Sequence, residues 1–270
     1  MKIRIISVFL LCIALSFSCK KEDYLAMGNT ESLLLSQILI DKTPSFEYTY
    51  NSTKLINEEK SKFAYTINHY NDRNQLVTTE YYANFDILSN DPRVFEAAMN
   101  QKTWFAASKS DLSGTIKYEY NDKDQLTKSI FTPATGSPQS SQFTYDENDR
   151  IKQQNIFWEN NRVGYIEYIY DFAGNVIVET LNTISATGVE ELSTTTVYHY
   201  DQKQNPFKQI SKLMTPGYNT NSNNIIKETQ TIHLNAAQGG DIAETTINSY
   251  KYNTNGYPIS KNGNIEYVYQ

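Results

Sequence analysis

Aromatic residues two positions apart recur along the chain, and each pair is followed by a turn-forming residue. The full copies are Tyr118-Glu119-Tyr120-Asn121, Phe143-Thr144-Tyr145-Asp146, Tyr168-Ile169-Tyr170-Asp171, Tyr198-His199-Tyr200-Asp201 and Tyr250-Lys251-Tyr252-Asn253. Side chains alternate along a strand, so the two rings of a copy share one face. The Asn or Asp that follows can fold its side chain onto the backbone two residues on and start a turn. Three residues later stand Asn74, Asp124, Asp149, Gly174 and Gly256, the residue types that best tolerate positive φ. Leu126, Ile151, Val176, Pro206 and Pro258 then begin the return strands. The unit is a β-hairpin with a type I turn closed by a left-handed residue.

Looser copies stand at Tyr48-Thr49-Tyr50-Asn51 and Asn68-His69-Tyr70-Asn71, and Tyr267-Val268-Tyr269 is a half copy. Lys54 and Gln204 occupy the left-handed position without suiting it, which predicts that those two turns differ. Glu159-Asn160-Asn161-Arg162 reads as a second class of turn, returning the chain from Phe157 toward Tyr165. The second aromatic residues fall at 50, 70, 120, 145, 170, 200 and 252. Each long gap is expected to hold a degenerate copy, with a hidden turn at Thr220–Asn224. Leu33–Ile40 reads as an opening strand, with a helix as the alternative. Asn90-Asp91-Pro92 followed by Arg93–Asn100 reads as a short helix, with Pro at an early helical position.

Composition agrees with this pattern. The 270 residues include 27 Asn, 26 Thr and 21 Tyr, a bias toward strands and turns that argues against a coiled coil or wholesale disorder. The repeat resembles the YD repeats of RHS-type proteins, and more closely the hairpin-repeat domains of Bacteroidota lipoproteins; Tyr198–Phe207 carries the likeness best. That resemblance implies a long curling antiparallel sheet. The expected fold is all-β: about seven YD-like β-hairpin repeats in an open sheet of about a dozen strands, with a short helical insertion near 90–100. There are too few repeats for the closed shell of RHS-type proteins, so the shell function is not carried over.

The N-terminus points to a location. Lys2 and Arg4 precede an apolar run, Ile5–Leu15, then Ser16-Phe17-Ser18 and Cys19. This is the layout of a secretory signal, and the run is too short to span a bilayer as a helix. A cysteine directly after a small residue resembles the lipobox of bacterial lipoproteins. That likeness implies acylation of Cys19 after cleavage before it; an ordinary signal peptide whose mature chain begins with cysteine is the alternative. Lys20-Lys21-Glu22-Asp23 resembles the short export signals that send Bacteroidota lipoproteins to the outer face of the outer membrane. The expected organisation is a signal peptide (1–18), a lipidated tether (19–32) and a repeat domain (33–270).

Charge and motifs narrow the function classes. Twenty-four basic and thirty acidic residues show no basic block, which argues against a nucleic-acid partner. Loss of Lys2 and Arg4 with the signal moves the formal charge from −6 to −8. The two cysteines, Cys12 and Cys19, both precede the repeats, so the repeat domain has no thiol, disulfide or cysteine metal ligand. No nucleophile elbow, zinc helix motif, phosphate loop or dinucleotide fingerprint is present. His69 and His199 sit between the two strand residues of their copies and read as solvent-facing. Adjacent acids such as Glu58-Glu59 and Glu190-Glu191 point to opposite faces of a strand, while Asp122/Asp124 and Asp146/Asp149 belong to turns. No enzyme, cofactor or metal site is expected.

The feature with binding potential is the aromatic stripe, Tyr118, Tyr120, Tyr168, Tyr170, Tyr198 and Tyr200. Such a face can stack on a polysaccharide or a partner surface protein. The other reading makes the rings the packed core of the sheet. Their recurrence in register with the turns favours the core. The leading expectation is therefore a non-enzymatic, outward-facing lipoprotein that binds or scaffolds a glycan or a protein. The rival is an enzyme or toxin-associated factor using the insertion at 84–115.

Overall fold

The computed structural model describes residues 33–61, 64–83, 112–208, 216, 221–235 and 239–270. The expected helix near 90–100, the signal, Cys19, the tether and most of the 84–115 insertion lie outside these residues.

All the described elements are strands: β1 (Leu35–Ile40), β2 (Thr43–Tyr50), β3 (Ile56–Ser61), β4 (Ala64–Tyr70), β5 (Leu76–Ala83), β6 (Leu112–Tyr120), β7 (Leu126–Pro133), β8 (Gln139–Tyr145) and β9 (Ile151–Trp158). They continue as β10 (Asn161–Tyr170), β11 (Val176–Ile184), β12 (Glu190–Tyr200), β13 (Ile225–Ile232), β14 (Ile242–Ile247), β15 (Tyr250–Tyr252), β16 (Pro258–Lys261) and β17 (Ile265–Tyr269). Seventeen strands form one sheet, more than the dozen expected. From β1 to β14 each strand pairs antiparallel with the next, β15 to β17 continue as a short meander, and β17 pairs back onto β1. β14 is laddered to β13 and β15 to β16. The sheet is curled and unclosed.

The turns explain the register. Asn51, Asn71, Asn121, Asp146 and Asn253 each use their side-chain Oδ1 to accept the backbone N–H groups two and four residues on, at 2.9–3.0 Å. The residue three further on has positive φ in every case, as at Asn74 (59°), Asp124 (62°), Asp149 (59°) and Gly256 (79°). Lys54 does the same at 61°, so its turn does not differ. The Asx bonds and strand pairing hold the left-handed conformation even for lysine. Glu159 also takes positive φ, and Trp158 pairs with Asn161 across the return turn read from the sequence.

Immediately after each of these turns the ladder shifts register. Tyr50 pairs with Ile56 but Thr49 with Glu58, and the same slip recurs at Tyr70, Tyr120, Tyr145, Tyr170, Tyr200 and Tyr252. A bulge of this kind adds right-handed twist and bends the strand. Repeated at one edge of successive hairpins, it gives the sheet its curl.

Two expectations fail in the long gap between Tyr200 and Tyr252. Pro206 does not begin a return strand; that strand is β13, beginning at Ile225. Nineteen more residues lie between Asp201 and Asn224 than between Asp171 and Asn175, and Asn224 takes the place of the residue four on. Asp201 N–H donates to Asn224 O at 3.1 Å, and Asn224 N–H to Asp201 Oδ1 at 3.1 Å. Residues 221–224 are thus the second half of the turn at 201, not a degenerate copy. The copy expected in the other gap falls within 84–111, outside the described residues.

The core is densest where the ends of the domain meet. Leu35, Ile38, Tyr48, Ile56 and Tyr267 are buried together, with Phe46, Tyr50, Phe207, Ile265 and Tyr269 packed on them. Gln270 N–H donates to Leu34 O at 2.9 Å, the same backbone pair that closes the other turns. β17 and β1 therefore form an eighth hairpin whose turn is replaced by Gln270 and Leu34.

Candidate functional site

The second tyrosine of every copy but Tyr250-Lys251-Tyr252 has one structural task. Between hairpins the ladder stops short of the turn edge, leaving the carbonyl of the first return-strand residue facing the next hairpin. A tyrosine hydroxyl from that next hairpin donates to it. Tyr50 donates to Leu35 O (2.6 Å), Tyr70 to Ile56 O (2.6 Å), Tyr120 to Leu76 O (2.9 Å) and Tyr145 to Leu126 O (2.7 Å). Tyr170 donates to Ile151 O (2.6 Å), Tyr200 to Val176 O, Tyr250 to Ile225 O (3.1 Å) and Tyr269 to Pro258 O (2.6 Å). The tyrosine always lies three residues beyond the last laddered residue of its strand, from Glu47/Tyr50 to Glu266/Tyr269.

One junction is irregular in sequence and regular in geometry. At β14–β15 the hydroxyl tied back to β13 is that of Tyr250, whereas Tyr252 precedes the turn that Asn253 starts and donates to the Asp201 carboxylate. Asn248 and Ser249 separate β14 from β15. Asn248 covers the break, donating from its backbone to Ile226 O (2.8 Å) and from its side chain to Ile225 O (3.0 Å).

The first aromatic positions form a second layer, facing polar partners. Tyr48 lies opposite Glu59, Tyr118 opposite Ser129, Phe143 opposite Gln154, Tyr168 opposite Glu179 and Tyr198 opposite Glu228. Tyr168 and Tyr48 are buried, and Tyr168 donates to Gln154 Oε1 at 3.1 Å. Burial, reinforced by Glu228, raises the Glu179 carboxyl above its ordinary pKa; burial does the same to Glu59. Burial also pushes Tyr120 up to about 12, helped by Tyr118 and Tyr145, and raises Tyr168, Tyr170, Tyr198 and Tyr200 further. A guanidinium covers one ring: Arg150 lies 4.6 Å from the centre of Tyr170 and 2.7 Å from Asp146.

The tyrosine face thus brings Tyr118, Tyr120, Tyr168, Tyr170, Tyr198 and Tyr200 onto one side of β6, β10 and β12. Toward β13 and β14 the same face becomes solvent-open and polar. Thr196 pairs with Gln230, Gln230 with Glu244, and Glu228 with Thr246; Gln230, Glu244 and Thr246 are exposed. His69 and His199 are exposed on β4 and β12, and His69 lies 3.1 Å from Glu80. Among the described residues no group of three or more His, Cys, Asp or Glu could hold a metal ion.

A family model described as the teneurin YD-shell matches residues 142–270. Over these residues the chain is similar to a YD-shell repeat. No curated protein matches it. Among solved structures it is similar to a porin-like protein from Bacteroides uniformis, at 12% identity over 87% of this chain and 98% of that one, with a TM-score of 0.42. A protein with unknown function from Bacteroides fragilis aligns at 13% identity over 67% of this chain and 91% of that one, with a TM-score of 0.26. A TcdB2–TccC3 structure aligns at 12% identity over 76% of this chain and 10% of that one, with a TM-score of 0.30.

The YD-like copies were readable from their rings and turns, but their shared partner was not. A carbonyl oxygen carries no residue signature.

Proposed function

We propose that this YD-like repeat protein is a lipid-anchored protein of the outer membrane surface, whose sheet binds or scaffolds a ligand and performs no catalysis. Cys19, alone after a secretory apolar run, supports the anchor; Lys20-Lys21-Glu22-Asp23 supports outward display. The binding half of the reading rests on one observation: the tyrosine face opens at β13 and β14 into a strip of Glu228, Gln230, Glu244 and Thr246 beside Tyr198. Ring faces stack on sugars, while carboxylates and amides bond to hydroxyl groups in fixed directions. A polysaccharide fits that mixture best, and a surface protein is the other partner class.

Metabolic labelling with a clickable fatty acid tests the anchor: wild type is labelled and Cys19→Ser is not. A glycan array with the mature protein tests the strip. Binding that is lost in Glu228→Gln/Glu244→Gln, with an unchanged melting curve, is the expected result. Binding retained by the double variant removes the strip from the reading.

A further inference from the structure

Most strands of the sheet are laddered on both sides, but β14 is laddered on one. β13 pairs with it from Lys227↔Ile247 to Ile232↔Ile242. On its other side the next strand is short: β16 pairs with β15 from Tyr250↔Lys261 to Tyr252↔Pro258, and the chain then turns back into β17. Asn262 closes that ladder, its N–H donating to Ser249 O and its Oδ1 accepting the Ser249 N–H, both at 2.8 Å. Among the described residues no strand is laddered to the second side of Ile242–Ile247, and all six of its residues are exposed.

The direction of the free backbone groups follows from one bond. Asn248 N–H donates to Ile226 O, so residues 248, 246, 244 and 242 turn their N–H and C=O groups toward β13. Ala243, Thr245 and Ile247 turn theirs outward, into water. Such a row is a template for another strand, and natural edges blunt it with Pro, Lys or a bulge. Ile242–Ile247 contains neither Pro nor Lys, and its ladder with β13 runs without a register shift.

The sequence of this edge complements itself. Outward groups must meet outward groups, which leaves an antiparallel second copy few registers. With the pair centred on Thr245, Ala243 meets Ile247 of the second copy, Thr245 meets Thr245, and Ile247 meets Ala243. The bulky Ile247, 73% exposed, then lies beside a small residue. On the tyrosine face Glu244 lies opposite Thr246 of the second copy, whose hydroxyl can donate to the carboxylate, while the two Glu244 side chains stand diagonal to each other. The second copy's strand begins at Ile242, opposite Asn248, and so stops short of Asn262. The neighbouring registers are worse. Centring on Glu244 sets the two Glu244 carboxylates directly opposite, which is unfavourable. Centring on Thr246 sets Ala243 against Ser249, whose groups Asn262 already uses.

We propose that two copies of this protein join by antiparallel pairing of their β14 edges about a two-fold axis at Thr245. A ladder of this length is a small interface, so the dimer is weak and forms as concentration rises. The pairing does not depend on the ligand reading, but it bears on it: the polar strips of the two copies meet at the axis and present one longer surface.

The test follows the mass of the full mature protein in detergent by light scattering over a concentration series. Wild type is expected to pass from monomer to dimer. Thr245→Pro removes the central outward N–H and no bond to β13, and is expected to stay monomeric with an unchanged melting curve at low concentration. Thr245→Lys sets two ammonium groups against each other; it is expected to stay monomeric too, and it carries the test if the proline variant does not fold. Thr245→Ala keeps the N–H while losing the Thr229 Oγ1 contact at 3.0 Å, and is expected to dimerise like wild type. Register is read from Thr245→Cys, whose thiols face each other across a hydrogen-bonded pair within disulfide reach, and from Ile247→Cys, whose thiols stand four residues apart. Oxidation is expected to link the first to its own copy several-fold faster than the second, with peptide masses placing the bond at 245 and not at Cys19. A wild type that stays monomeric at its highest soluble concentration overturns the proposal. A dimer that persists in both Thr245→Pro and Thr245→Lys overturns the β14 edge as the contact, and equal cross-linking at 245 and 247 overturns the register.

Discussion

The hairpin β10–β11 and the region from β12 to β15 obey one set of contacts with different amounts of chain. In the first, Asp171 to Asn175 closes the turn in five residues, and Tyr170 reaches Ile151 O directly. In the second, nineteen extra residues separate the two halves of the turn, and Tyr250, which ties back, stands two residues before Tyr252, which leads on. The backbone pair between Asp201 and Asn224 and the bond from Tyr250 to Ile225 nevertheless match their counterparts. The unit of this fold is a pattern of hydrogen bonds rather than a length of sequence. Insertions are tolerated where they leave both bonds in place.

The largest effect is expected from removing a ring at either site. Tyr170→Ala opens a cavity and strips the Ile151 carbonyl of its donor, at a cost of about 3–5 kcal/mol by denaturant titration. Tyr250→Ala is expected to fall in the same range, because Tyr250 does the same work despite its different place in the motif. A near-neutral Tyr250→Ala would break the equivalence of the two regions.

Next come the turns. Gly174 has φ of 85° and open space around an added Cβ, the nearest atom being Ser222 Oγ at 4.0 Å, so a side chain there meets backbone strain rather than a clash. Gly174→Val is expected to cost about 1–3 kcal/mol. Ala173→Val, one residue earlier, is the control, and equal small shifts in thermal melts would contradict the left-handed assignment. In the inserted region, Asn221→Ala takes the acceptor from the buried Val176 N–H at about 1–3 kcal/mol, through an insertion the simple motif does not contain.

Smaller effects follow from the ionisable groups of the tyrosine face. The folded pKa of Tyr120 lies above the unfolded value of 10.0, at about 12. Its contribution is therefore complete below pH 10 and is lost as pH rises toward 12. Melting midpoints should be insensitive to tyrosine ionisation below about pH 10 and fall above it. Glu179 is also raised, so its contribution is present below the unfolded value of 4.5 and lost as pH rises. At neutral pH its ionised form costs stability, and Glu179→Gln is expected to raise the melting temperature slightly. A lower midpoint for Glu179→Gln would mean that the charge is used by a partner within the fold.

The sequence made the hairpins legible because their signals are local. An Asx residue, a left-handed position three residues on and alternating rings are read within about ten residues, and the structure places Asn74, Asp124, Asp149, Gly174 and Gly256 at positive φ. Lys54 misled because the Asx bonds and strand pairing outweigh its own preference. Pro206 misled because it follows a turn start at the expected spacing, while the return strand lies beyond the insertion. The solvent-open strip on β13 and β14 was not legible, since Glu228 and Glu244 converge through strand register.

The central claim is that the hydroxyl of the second tyrosine, and not its ring alone, joins each hairpin to the one before. Tyrosine to phenylalanine changes test it most directly, since they keep the ring and remove the bond. Tyr120→Phe, Tyr170→Phe and Tyr200→Phe, measured by denaturant titration, are each expected to lose about 0.5–1.5 kcal/mol. Tyr165→Phe is expected to leave the midpoint nearly unchanged, because its hydroxyl meets the exposed Glu190 side chain at 3.1 Å. Equal midpoints for all four variants and wild type would contradict the claim.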